Sequence, residues 1–152
     1  MKTLANLRDK LEIEERLDRI TLASPRQWGR MTVREMVCHL NDAFLVAMGD
    51  KTAEPIGNWA SRTLIKQAAL WGPMQWPHGV RTVPECDARL LGTPPADFEA
   101  DLAEARRLLG RFAAQPRCYQ LQDHAIFGVM SEKEWLRWGY LHTDHHLRQF
   151  AA

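Results

Sequence analysis

One short pattern occurs twice and limits the fold more than any other: a hydroxyl residue followed three positions later by glutamate, as in Thr32 with Glu35 and Ser131 with Glu134. In such a pair the hydroxyl accepts from the backbone N–H three residues on, and the carboxylate reaches back to the capping N–H, so each marks the first turn of an α-helix. Behind Thr32, the residues Val33, Val37, Leu40 and Phe44 recur at helical spacing up to Met48, and Gly49 supplies a stop. Behind Ser131 the same logic predicts a helix from Glu132 to about Phe150. A third helix is predicted over Ala96–Ala114, after Pro94 and Pro95, with Phe98, Leu102, Ala105, Leu109 and Phe112 as its apolar stripe. Near the start, Leu4, Leu7 and Leu11 share one helical phase and Ile13, Leu17 and Ile20 another, so the first helix either kinks or begins near Glu12.

The connection from Gly49 to Pro95 is far too long for a tight turn. It contains a predicted short helix, Trp59 to Leu70, and then a Pro- and Trp-rich stretch, Trp71 to Glu85. A crossover of that length lets the second and third long helices run parallel, which predicts an all-α four-helix bundle in up-down-down-up order. Polar and apolar residues do not alternate convincingly outside the helices, and no internal repeat is present. At 152 residues, with 45% hydrophobic and 26% charged, the chain reads as one domain over 1–152 with a single core.

A formal net charge of +1 provides no long-range field for nucleic acid or an anionic membrane, so neither partner is expected. The longest stretch without Asp, Glu, Lys or Arg lies between Lys66 and Arg81, is broken by Pro73 and Pro77, and falls short of a spanning helix. Met1 to Lys10 does not read as a secretory signal. Cys38, Cys86 and Cys118 are odd in number and form no CxxC pair, which points to a reducing compartment and a cytoplasmic protein.

The sharpest chemical feature is His142-Thr143-Asp144-His145-His146. At about 100° per residue, His142 and His146 lie about 40° apart on one helix face and roughly 6 Å apart along the axis, so two imidazoles can converge on one ion. His145 and Asp144 point elsewhere and are left out of the ligand set. A catalytic metal centre usually takes three protein ligands, and His39, at the edge of the apolar arc of the second helix, is the best third donor; Cys38 is expected to point away from that arc. His124 is held in reserve, and His78 reads as a solvated loop residue. Histidine pairs at this spacing also sit half exposed at helix ends with no metal, so spacing alone leaves both readings open. Trp135, Trp138 and Gln149 fall near the face of His142, as an aromatic wall and an amide beside the site or simply as core. Gly139 either leaves room beside an ion or lets helices pack closely.

No GxGxxG, Walker A or GxSxG pattern is present. The segment Met36-Val37-Cys38-His39-Leu40 together with His142-x-x-His145-His146 resembles the DinB-like superfamily of metal-binding four-helix bundles. The chain is most similar to an uncharacterised branch of it, through Trp28-Gly29-Arg30-Met31, Trp76-Pro77-x-Gly79 through Pro84-Glu85, Gly92-Thr93-Pro94-Pro95 and Phe127-Gly128-x-Met130-Ser131-x-x-Glu134-Trp135. The resemblance implies metal ligands at His39, His142 and His146, and an activity of either metal-dependent hydrolase or thiol-dependent S-transferase type.

Taken together, these readings lead to the expectation of a metal-dependent enzyme acting on a small-molecule substrate. Its divalent ion, zinc or nickel, would activate water or a low-molecular-weight thiol. Trp71 to Glu85 is a candidate lid, Glu85 the nearest general base, and Trp76, Trp138 and Gln149 the residues that would contact a cofactor. The alternatives are a non-catalytic metal- or small-ligand-binding module and a metal-free interaction domain with a Trp-rich surface. A homodimer formed by helix packing is compatible with each.

Overall fold

The computed structural model describes all 152 residues and contains five α-helices and no strand. The first helix, α1 (Leu7–Asp18), starts a turn earlier than Glu12 because the Asn6 side chain accepts from the N–H groups of Arg8 and Asp9. Ile13, Leu17 and Ile20 of the second apolar phase face the core; of the first, Leu4, ahead of the helix, is buried, while Leu7 (69% exposed) and Leu11 (47%) face out. Helix α2 (Val33–Met48) has both halves of the predicted capping box and ends at Gly49 with φ 81°, the left-handed conformation that glycine adopts without strain.

The predicted short helix is present in altered form: a π-helical turn, Ser61–Ile65, runs directly into α3 (Lys66–Trp71). Helix α4 (Phe98–Ala113) begins two residues later than expected, since Asp97 takes the capping position and accepts from Ala100 N–H. Helix α5 (Glu132–Gln149) opens on the second capping box, Ser131 with Glu134. A 3-10 turn, Pro84–Cys86, lies in the long crossover.

The predicted stripes meet as expected. Helix α2 packs on α4 and α5, α1 packs on the same two helices, and the Pro84–Cys86 turn lies against α2. Phe44, Phe112, Trp135 and Trp138 form the aromatic centre, with Phe44 and Phe112 ring centroids 5.0 Å apart. Because α2 is covered on so many sides, every residue from Met36 to Phe44 is buried. Cys38 is therefore inside, contrary to the expectation that it points away, and burial followed by the nearby Asp101 pushes its thiol up to about 12.

Polar contacts fasten the irregular segments to this frame. The buried Asp42 carboxylate of α2 accepts from Thr93 N–H and Thr93 Oγ1, each at 2.7 Å, and pairs with Lys51 at 2.7 Å. Asn41 Nδ2 donates to Asp101 O at 2.9 Å, and Arg137 Nε donates to Leu70 O at 2.9 Å, which ties α3 to α5. The loop before α5 folds back on itself: His124 and Gly128 exchange backbone hydrogen bonds at 2.9 and 2.7 Å, and the Ala125 carbonyl accepts from Ile56 and Gly57 N–H.

Gly139 serves helix packing rather than space beside the histidines. A Cβ there would lie 2.7 Å from Phe112 Cε1 and 2.8 Å from Leu4 Cδ1, both on buried side chains. Replacing Gly139 with leucine should therefore lower stability by about 1–3 kcal/mol, measured as a reduced urea midpoint with an unchanged slope. An unchanged midpoint would show that the N-terminal segment and α4 do not approach α5 this closely.

Candidate metal centre

His39 on α2 and His142 and His146 on α5 are buried and come together with one ligand atom each, all lying within 4.8 Å of one another. The i,i+4 spacing on α5 stacks two rings on one face, and the packing of α2 on α5 brings the third against them. Ring centroids of His39 lie 5.0 Å from His142 and 4.6 Å from His146.

Hydrogen bonds on the far side of two rings determine their tautomers. His39 Nδ1 donates to Cys86 O at 2.9 Å; a carbonyl can only accept, so Nδ1 carries the proton and Nε2 of the neutral ring is bare. Gln149 Nε2 donates to Trp28 O at 3.0 Å, which orients the amide so that Oε1 faces His146 Nδ1 at 2.9 Å. His146 Nδ1 must then be the donor, and its Nε2 is likewise bare. His142 Nε2 sits 3.0 Å from His39 Nε2, while His142 Nδ1 is buried with no partner and the ring stacks on Trp138 at 4.7 Å. Two neutral buried ring nitrogens cannot present lone pairs to each other at that distance, so either a proton or a cation must lie between them. The donor set therefore fits a divalent ion, with both outer hydrogen bonds of the kind that orient metal-bound imidazoles.

Burial holds all three imidazoles below their ordinary pKa. For His142, repulsion from His146 and His39 adds to burial; for His39, the Cys86 carbonyl bond opposes it. His124 and His145 are lowered to about 4, His124 by burial and His145 by burial and then by Arg148 and His78. Burial also pushes the Cys86 thiol up to about 12, so it is neutral near pH 7.

The triad opens on a cavity of about 380 Å³. Trp76 and Trp138 line it, with Trp76 Nε1 donating to Ala69 O at 2.8 Å. His145 also lines it, outside the ligand set as predicted, and Asp144 is turned to Arg16 (2.7 Å) and Arg148 (2.9 Å). Gln149 does not line the cavity; its contact is with His146, on the side of the ring away from the other two histidines. Glu85 does not line it either: its Oε1 faces Glu54 N–H at 3.4 Å, because successive residues of the 3-10 turn diverge and it is Cys86 that faces the cavity. His124 is removed as a reserve ligand by backbone chemistry, since its Nδ1 accepts from Ile126 N–H (3.1 Å) and Phe127 N–H (3.2 Å), which leaves the proton on Nε2.

Residues 82–152 match the profile of a family described as "Protein of unknown function (DUF1569)", a stretch that includes Cys86, His142, His146 and Gln149 but not His39. No curated protein and no solved structure matches the chain.

Two outcomes follow from the hydrogen bonds and the burial. Gln149→Leu, which keeps the side chain's bulk and removes the acceptor for His146, should weaken zinc binding about 10- to 100-fold by competition with a chelating dye. Unchanged affinity would show that His146 needs no partner. In the metal-free chain, the histidines with depressed pKa stay neutral while those of the unfolded chain titrate near 6.5. Stability is then fully present above about pH 6.5 and is lost as pH falls toward about 4, so the melting temperature should drop across that window. A flat profile would contradict the burial of these rings.

Proposed function

We propose that this chain is a DinB-like metalloprotein, an up-down-down-up four-helix bundle acting in the cytoplasm on a small-molecule substrate, with a divalent ion held by His39, His142 and His146. The observation that carries the reading is the pair of outer hydrogen bonds, Cys86 O to His39 and Gln149 Oε1 to His146, which leave both inner nitrogens bare in a buried cluster. An ion there, zinc or nickel, would supply Lewis acidity toward water or a low-molecular-weight thiol. The chain supplies three neutral donors from two helices, and with His124 held as a donor no fourth imidazole closes the set from that side. Trp76 and Trp138 give the adjoining wall an apolar surface that limits water, and His124 Nε2–H is a fixed hydrogen-bond donor beside it.

One observation favours the non-catalytic alternative: no aspartate or glutamate lines the cavity, so no carboxylate base stands beside the triad. A storage or sensing module needs none, and an enzyme of this design would depend on imidazole or solvent for proton transfer.

The test common to both is metal content of protein purified without a nickel column. The wild type should carry about one divalent equivalent per chain, and His39→Ala and His142→Ala should lose most of it. Equal content in the three proteins would remove the assignment.

A further inference from the structure

The charge distribution around the cavity has a direction. Sixteen of its twenty-five lining residues are hydrophobic, none is acidic, and Arg81 alone carries a full charge. Arg81 is exposed, stands in the crossover segment next to Val80 and Thr82, which also line the cavity, and takes no part in the ion pairs that occupy Arg16, Arg89, Arg106, Arg107, Arg111, Arg117 and Arg148. An arginine without a counter-ion at the rim of an apolar cavity creates a local positive potential that nothing in the wall cancels.

Two polar groups away from the triad point the same way. His124 offers only an N–H, because two backbone amides occupy its other nitrogen. The Gln75 carbonyl oxygen accepts from Arg148 at 2.8 Å, which leaves its NH₂ group as the free half of that amide. Away from the three imidazoles, this wall offers donors and a cation and so favours a molecule that brings acceptors.

We propose that the cavity binds a small molecule with an apolar body and an anionic end group, the body against the Trp76 and Trp138 wall and the anion at Arg81. The proposal rests on the reading of this cavity as a small-molecule site and adds the chemical class of its occupant. A volume of about 380 Å³ holds a body of one or two fused rings or a medium-length chain, and the guanidinium matches the planar fork of a carboxylate or one edge of a sulfonate. Because Arg81 is exposed, its contribution is moderate and sensitive to salt.

Two fluorescent probes that differ by one sulfonate separate body from charge: anilinonaphthalene sulfonate and the neutral phenylnaphthylamine. Both are titrated into the full chain after dialysis against a chelator, so that no bound ion can hold the sulfonate. The wild type should bind the anionic probe more tightly, with an affinity that falls as salt rises, while the neutral probe is insensitive to salt. Arg81→Glu should weaken the anionic probe about tenfold and the neutral one less than about twofold. Ala68→Trp, at an exposed position that lines the cavity, should weaken both by filling it. Equal loss of both probes in Arg81→Glu, no loss of the anionic probe, or full binding of both in Ala68→Trp would overturn the proposal. Each of those results leaves the metal content of the untreated protein standing as a separate measurement.

Discussion

The Cys86 carbonyl accepts from His39 Nδ1 and the Trp28 carbonyl accepts from the Gln149 amide, and the proton positions on two of three clustered imidazoles follow from these contacts. Neither carbonyl belongs to an α-helix. Cys86 closes the 3-10 turn that packs on α2, and Trp28 precedes the capping box of α2. The irregular parts of the chain thus decide what the regular parts can do. The helices bring the rings together, and the loops determine which nitrogen faces inward.

Burial has a cost that the same arrangement offsets in part. A buried imidazole that cannot be protonated loses its hydration, and three of them in contact repel any shared proton charge. His39 and His146 each recover one hydrogen bond, whereas His142 recovers none at Nδ1 and is instead covered by Trp138. An incompletely satisfied cluster of this kind is costly in an empty core and is accounted for when its inner nitrogens have a cation to coordinate.

Much of this could be read in the sequence, and the omissions have physical causes. The helices α2 and α5 were plain because a capping box is a local device whose two residues need nothing from the rest of the chain. The histidine triad was legible because helical periodicity places His142 and His146 together and ranks His39 by its position on the apolar arc. The start of α1 was not, since Leu7 and Leu11 are exposed leucines that mimic a buried stripe. Gln149 was read as an amide beside the site, but its bond to His146 was not, because its direction depends on Trp28, a contact across 121 residues. Glu85 looked nearest by sequence, yet a single step along a tight turn sends its side chain away and presents Cys86 in its place. The exclusion of His124 rests on backbone amides and could not be anticipated from residue types at all.

The account depends on three rings from two helices sharing one cation through their Nε2 atoms. Anomalous diffraction at the zinc edge, from crystals grown with zinc, tests this directly. The account predicts a single strong peak at about 2.0–2.1 Å from Nε2 of His39, His142 and His146, with the bonds from Cys86 and Gln149 to the outer nitrogens intact. A peak at other residues, or three rings that remain in contact with no peak among them, would contradict it.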